Sequence, residues 1–293
     1  MPDYFAPFKE IVRANVPMAM HTWLQLGGQA EFFAEPRTEE EFLSLLRVCR
    51  QNNVPVRILG LGSNILVSDE GVPGMVIRLT APEFCAIQTE ENRLITGGGA
   101  KLGRAITGAV YAGLAGLEAF IGIPGTVGGA VHGNISSADG DIGQWVETVR
   151  VATFDGEIVT LDRENIAFGY RSSSLENTVI LSCTFLLEKD DASELARRLQ
   201  KIWIVRKKTE PIGYCGAGWL FKDPVGQSAS ALIEEAGLKG TRIGGAVVSD
   251  RNANFILAKP ECSSSDVKRL ASLIQTQVRE RAGVQLDLDI NIW

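Results

Sequence analysis

The spacing of apolar residues switches repeatedly between helical and extended periods along this chain. In TEEEFLSLLRVCRQN (38–52), Phe42, Leu45, Leu46 and Cys49 fall on one stripe. Thr38 stands where a helix cap belongs and acids fill the first turn, so a capped helix is predicted. VPVRILGLG (54–62) reads as a buried strand entering a glycine turn, and GMVIRL (74–79) as the next strand. A strand at 93–97 and a helix at 101–116 follow. VETVRVATF and GEIVTL flank Asp155-Gly156, a hairpin signal, and 178–187 reads as a further strand. Helices are predicted at about 192–208, over SASALIEEAG (228–237), and at 264–282. GAVVS and ANFILA read as strands, and QLDLDINIW (285–293) as a final alternating one with Asp287 and Asp289 on one face.

Two glycine-rich stretches interrupt this pattern. The longer, GLAGLEAFIGIPGTVGGAVHGN (113–134), is too poor in side chains to be expected as a packing element, and is read as a loop. The other is ILGLGSNILVSD (58–69). Glycine permits positive φ and close backbone approach, and consecutive N–H groups suit an anion. GLGSN is not the GxGxxG dinucleotide fingerprint, because the third glycine is missing and ILVSD continues as strand. Two such loops next to strands favour a phosphate cradle over a pair of tight turns.

The bulk numbers narrow the class. A chain of 293 residues with 45% hydrophobic content exceeds the usual single domain, and the main boundary is placed near residue 200. The net charge of −6 argues against general nucleic-acid binding. Five scattered cysteines without a CxxC spacing argue against a disulfide framework or a zinc site, and fit a reducing cytoplasm. The absence of an 18-residue apolar run gives no support to a membrane span. His21 and His132 have no third partner at ligand spacing, so no metal is expected, although His132 could touch a cofactor. Arg206, Lys207 and Lys208 read as a solvated helix end or, with Lys222, as a clamp for an anionic substrate. Tyr170-Arg171, beside three serines, offers a ring and a permanent cation between strands.

Taken in order, TWLQLGGQAEFFAEP (22–36), RILGLGSNILVSDEG (57–71), GLEAFIGIPGTVGGAVHGN (116–134), YRSSS (170–174), FKDP (221–224), SALIEEAGLKG (230–240) and GGAVVSDRNANFILA (244–258) resemble the UDP-N-acetylenolpyruvoylglucosamine reductases. The resemblance covers nearly the whole chain and points to the compact subtype. It implies an α+β protein. An FAD-binding domain of the vanillyl-alcohol-oxidase (PCMH) type spans 1–200 in two subdomains, roughly 1–80 and 81–200, and an α+β substrate domain spans 201–293. FAD and NADPH are the implied cofactors, a UDP-sugar the implied substrate, and a monomer without nucleic-acid or membrane partners is expected.

The resemblance also assigns roles residue by residue. Gly60, Gly62, Ser63, Asn64, Gly122, Ile123, Pro124, Gly125, Thr126, Gly128, Gly129 and Asn134 would hold the FAD. Arg171 matches the catalytic arginine, and Asp289 stands at the position of the catalytic glutamate, one methylene shorter. Tyr170, Lys222, Asp223 and Asn252 would contact substrate, although Asp223 replaces an asparagine. The family's proton donor is a serine or cysteine, and Trp219 stands in its place. An indole N–H donates a hydrogen bond but is not a usable acid near neutral pH. Loss of a positioned acid costs about 10² to 10⁴ in rate. Water, Cys215 or a serine among 172–174 are the candidate substitutes. The alternatives are a flavin oxidoreductase of altered substrate and an FAD-binding homologue with impaired chemistry.

Overall fold

A computed structural model describes the whole chain except Ala138, Ile212 and Cys215. Two compact units are formed. The first comprises Met1–Asn15, Glu31–Gly60 and Pro73–Ile204; the second comprises Val16–Ala30, Leu61–Val72 and Val205–Trp293.

The first unit is built around a five-stranded antiparallel sheet. Its order is Ile158–Asp162, Val146–Thr153, Thr178–Leu186, Arg93–Gly97 and Ile87–Glu90. The hairpin at Asp155-Gly156 forms as its turn residues predict, with Gly156 at φ 82°. Along Thr178–Leu186 a register shift between Ile180 and Ser182 interrupts the alternation, so Val179 and Leu181 share one core while Ile180, with Cys183 and Phe185 beyond the shift, joins the other. The core of Ile180, Cys183 and Phe185 includes the helices Leu102–Tyr111 and Val127–His132. That of Val179 and Leu181 includes Phe42, Leu45, Leu46 and Cys49 of the helix Glu39–Gln51. That helix is capped by the Thr38 side chain, which accepts from Glu41 N–H, as its sequence requires. A four-stranded sheet, ordered Val12–Pro17, Gln29–Ala34, Val72–Ile77 and Val56–Ile58, completes this half of the chain.

Two expectations for the first unit need correction. The helix expected at 101–116 ends at Tyr111. The glycine-rich stretch is not loop throughout: Val127–His132 is a short helix whose Val127, Ala130 and Val131 are buried in the core. Its adjacent Gly128 and Gly129 are flanked by Val127, Ala130 and Val131, which is enough to pack one face.

In the second unit, a four-stranded sheet runs in the order Ala217–Trp219, Phe255–Ala258, Ala246–Val248, Arg242–Ile243. The helices Ala229–Glu235 and Ser264–Ala282 share its core, joined by Leu24, Leu26 and Leu66 from earlier in the chain. The final alternating strand is another correction. Leu286 and Ile290 are buried and Asp287 is exposed, as alternation demands. Ladder pairing, however, is limited to an isolated bridge between Leu288 and Phe221 and to Asn291–Ile292, which runs parallel to Ile65–Leu66. Asp287 and Asp289 therefore do not lie on a regular strand.

The start of Ser264–Ala282 carries a capping box. Ser263 accepts from Asp266 N–H, and the Asp266 carboxylate accepts from Ser263 N–H. The same carboxylate accepts from Gly245 N–H at 3.1 Å and pairs with Arg269. These bonds, the one from Gly245 first, hold Asp266 at about 2, below its ordinary 3.8. A depressed acid stabilises the fold above its unfolded pKa, and that stabilisation is lost as pH falls through the folded one. The thermal midpoint of the native protein is thus expected to fall between pH 4 and pH 2 more steeply than that of Asp266→Asn. Parallel curves for the two proteins would refute this assignment.

Candidate active site

The two glycine-rich segments meet at Gly60 and Thr126, both in the first unit. A Cβ on Gly60 would lie 2.8 Å from Thr126 Oγ1, so only glycine fits there. Thr126 Oγ1 also accepts from Gly129 N–H, capping the short helix. A Cβ on Gly128 would lie 2.9 Å from the Gly98 carbonyl, to which Gly128 N–H donates at 2.8 Å. Leu102 N–H donates to the Gly125 carbonyl, and Val127 N–H to that of Ala100. Gly122 sits at φ 89° and leads through Ile123 and Pro124 into this arrangement. The result is close backbone packing between the two segments, with the Val127, Gly128 and Gly129 N–H groups bonded within the protein.

The triplet Gly97-Gly98-Gly99 packs equally tightly beside these segments. A Cβ on Gly98 would come within 2.0 Å of the Ile180 carbonyl, and one on Gly99 within 2.0 Å of that of Leu79. Three consecutive glycines at a strand end were the available signal. Lys101 is paired across an isolated bridge with Thr126.

Arg171 lies at the tip of the hairpin formed by Phe168–Gly169 and Ser172–Ser173. The hairpin is tied to the end of the glycine helix. Asn134, buried and at φ 43°, donates from Nδ2 to the Gly169 carbonyl at 2.7 Å and accepts from Gly143 N–H at 3.0 Å. Ser173 Oγ donates to the His132 carbonyl at 2.6 Å. Arg171 itself has φ 54°, a conformation a non-glycine residue adopts at a cost. Its Nε is buried and makes no hydrogen bond among the described residues. Tyr170, beside it, is about half exposed. His132 is solvent-accessible, yet desolvation by its surroundings lowers its pKa against a weaker opposite pull from Glu176.

The remaining sequence-predicted residues lie in the second unit, where the backbone brings several together. Trp219 pairs with Phe255 on the neighbouring strand, their rings T-shaped with centroids 5.2 Å apart. The Trp219 Nε1 is buried without a hydrogen-bond partner among the described residues. Next to it, Leu220 O accepts from Asp289 N–H at 2.9 Å, and Lys222 N–H donates to the Asp287 carbonyl at 2.9 Å. Asn64 Nδ2 donates to the Asp289 carbonyl at 2.9 Å, so the first glycine loop touches the C-terminal acid's backbone. Gly62, at φ 64°, packs on His21, where a Cβ would lie 2.3 Å from the carbonyl oxygen; Ser63 follows it.

Several predicted contact residues spend polar atoms on local structure. Asp223 Oδ1 accepts from Ala229 N–H at 2.8 Å, at the start of a helix where negative charge is favoured. Asn252 Oδ1 accepts from Asn254 N–H at 3.0 Å. Of the substitute acids, Ser173 is committed to His132, Ser174 Oγ accepts from Ala167 N–H, and Cys215 lies outside the described residues.

Known proteins resemble this chain along nearly its whole length. A family profile described as FAD binding domain matches residues 30–162. A second, the C-terminal domain of UDP-N-acetylenolpyruvoylglucosamine reductase, matches residues 210–293. The UDP-N-acetylenolpyruvoylglucosamine reductase of Rhodopirellula baltica is 37% identical over 283 residues, covering 97% of this chain and 93% of the relative. The chain belongs to the UDP-N-acetylenolpyruvoylglucosamine reductase family. A second such reductase, reductase 2 of Symbiobacterium thermophilum, is 38% identical over 284 residues, covering 96% of this chain and 92% of its own. The crystal structure of the reductase from Thermus caldophilus matches with a TM-score of 0.82 at 35% identity, covering 96% of this chain and 99% of that one. A solvent-stable cholesterol oxidase shares only the fold, at 16% identity and a TM-score of 0.50 over 61% of this chain and 38% of its own. The fold is thus an FAD-binding domain of the PCMH type joined to the reductase family's C-terminal domain, and the cofactor is FAD. At Gly60 and Gly128 any Cβ would collide with its neighbours, and such side-chain-free backbone suits the close approach of a dinucleotide diphosphate.

Proposed function

We propose that this protein uses NADPH and FAD to reduce UDP-N-acetylglucosamine enolpyruvate to UDP-N-acetylmuramate, a step of peptidoglycan precursor synthesis in the cytoplasm. The observation that carries the reading is the full-length match to reductases of that name, with both family profiles in order on one chain. Among the described residues no helix is long and apolar enough to cross a membrane.

Bound FAD would supply hydride transfer, taking two electrons from NADPH and delivering them to the enolpyruvyl double bond. The chain's own residues bind, orient and polarise. Gly60, Gly62, Ser63 and Asn64, with Gly122–Gly129, would hold the flavin nucleotide, and Asn134 would fix the hairpin that carries Arg171. Arg171 would face the substrate carboxylate, where its permanent charge stabilises the negative charge that builds up on hydride addition. Asp289 would orient the reacting group, and Tyr170, Lys222, Asp223 and Asn252 would contact the nucleotide sugar. Balance requires one hydride and one proton across the double bond. Trp219 holds no transferable proton at neutral pH, so solvent water is assigned as the proton source, leaving hydroxide that bulk solvent neutralises.

The test is purified protein with FAD, NADPH and UDP-N-acetylglucosamine enolpyruvate. Substrate-dependent NADPH oxidation yielding UDP-N-acetylmuramate is expected. Retention of FAD with no turnover over background would refute the activity.

A further inference from the structure

The hairpin that carries Arg171 is too small to hold its own tip. Each strand is two residues long, Phe168–Gly169 against Ser172–Ser173. A lone two-stranded ribbon is marginal in water even when longer. The tip nevertheless keeps Arg171 at φ 54° with its Nε buried, a backbone state that persists only where the surroundings impose it. Asn134 on Gly169 and Ser173 on His132 supply part of that constraint. A further part comes from a residue to which no role has been given above.

That residue is Arg163, in the short helical turn Arg163–Asn165 just ahead of the hairpin and in the same unit. Its Nε donates to the Gly143 carbonyl at 2.8 Å, and its Nη1 to the Ile166 carbonyl at 3.1 Å. The same guanidinium lies over the Phe168 ring, its carbon 4.8 Å from the centroid. Gly143 donates its N–H to Asn134 Oδ1 at 3.0 Å, and Asn134 Nδ2 donates to the Gly169 carbonyl at 2.7 Å. The contacts close a ring, from Arg163 through Gly143, Asn134 and Gly169 to Phe168 and back. Its centre has no slack: a Cβ on Gly143 would lie 2.6 Å from Phe168 Cγ and 2.8 Å from Asn134 Oδ1.

Arg163 is used differently from the arginines that pair with acids. Arg93 and Arg150 are held by glutamates at 2.6 and 2.5 Å. Among the described residues Arg163 pairs with no carboxylate; it spends its edges on two carbonyls and its face on an aromatic ring. A planar guanidinium can do all three at once, and an ammonium cannot. Arg163 is also exposed, so replacing it opens no cavity in the core.

We propose that Arg163 is a positioning residue for Arg171, bracing the hairpin so that the Arg171 guanidinium meets the substrate carboxylate in a reactive geometry. The inference rests on the role given to Arg171 under the proposed function. Misplacement of a reacting contact by about 1 Å costs about 10² in rate. With Asn134 and Ser173 still in place, loss of the brace should cost between about 10-fold and that figure.

The experiment follows both half-reactions of the FAD-bearing protein by stopped flow, in native protein, Arg163→Ala, Arg163→Lys, Arg171→Ala and the Arg163→Ala/Arg171→Ala double variant. In Arg163→Ala, NADPH should reduce the flavin at the native rate, while reoxidation by UDP-N-acetylglucosamine enolpyruvate slows about 10- to 10²-fold. Arg163→Lys, which keeps a cation near Phe168 without the fork, should fall between native and Arg163→Ala. In the Arg171→Ala background the Arg163 substitution should cost nothing more, because the group it positions is gone. A purely structural residue would instead lower the thermal midpoint, and its loss would multiply that of Arg171. Native reoxidation in Arg163→Ala, equal slowing of both half-reactions, or a fully multiplied loss in the double variant would each overturn the proposal. Should Arg163→Ala fail to fold, Arg163→Lys with and without Arg171→Ala completes the same cycle. Native protein whose reduced flavin is not reoxidised by the enolpyruvyl substrate would overturn the proposed function instead.

Discussion

Arg171→Ala is expected to lower kcat by about 10² to 10³, the usual cost of removing one preorganised group facing developing negative charge. The local structure explains why the loss should fall on chemistry rather than on folding. The hairpin that carries Arg171 is held from outside the residue, by Asn134 on Gly169 and by Ser173 on His132. The arginine also occupies a positive φ, which the remaining structure imposes on it. Relief of that strain by Arg171→Gly should leave the thermal midpoint as high as in the native protein or higher, with activity equally low. Arg171→Lys should rescue little, because a point charge does not reproduce a planar fork. Stopped-flow measurement separates the steps: NADPH should reduce the flavin at the native rate, and only reoxidation by the enolpyruvyl substrate should slow. Slowed flavin reduction would assign Arg171 to the nicotinamide instead.

Trp219→Ser carries the other large effect, with opposite signs for activity and stability. A hydroxyl at this position restores a group that can give a proton, and a positioned acid is worth about 10² to 10⁴ in rate. Turnover should rise by at least the lower figure. Stability should fall, because the Trp219 ring rests against Phe255 in the T-shaped pair and the variant leaves a void. A full aromatic truncation in a core costs about 3–5 kcal/mol, and the partly exposed Trp219 should cost less. Trp219→Phe separates the two effects, since it keeps the ring and removes the unpaired indole N–H. A faster serine variant with a lowered thermal midpoint is the expected pair of results. An unchanged rate in a folded, FAD-bearing Trp219→Ser protein would show that the acid is not what limits this site.

The fold was legible wherever one local signal sufficed. Thr38, three acids and an apolar stripe fixed the helix Glu39–Gln51 to within a residue at each end. Asp155-Gly156 fixed a hairpin. Alternation misled at the C-terminus, because Leu286 and Ile290 report burial and not ladder pairing. Glycine content misled in the opposite direction, since Val127, Ala130 and Val131 supply enough apolar surface for a buried helix. At the site, motif order identified the segments but not how their polar atoms are used. Nothing in the local sequence shows that Asn134 bridges Gly169 and Gly143, residues 35 and 9 positions away. Nor does it show that Lys101 faces Thr126, because that pairing exists only once strand and helix have folded together.

The path of the chain through its second unit limits how this gene can be cut. A fragment encoding only residues 205–293 would lack Leu24, Leu26 and Leu66, which complete that unit's core. It would also leave Asn291–Ile292 without the strand Ile65–Leu66. The C-terminal portion is therefore not a transferable cassette, despite being recognisable by its own family profile. Recombination between relatives that exchanged it alone would have to match two short segments near the other end of the gene. In this protein the smallest unit of inheritance that preserves both cores is the whole chain.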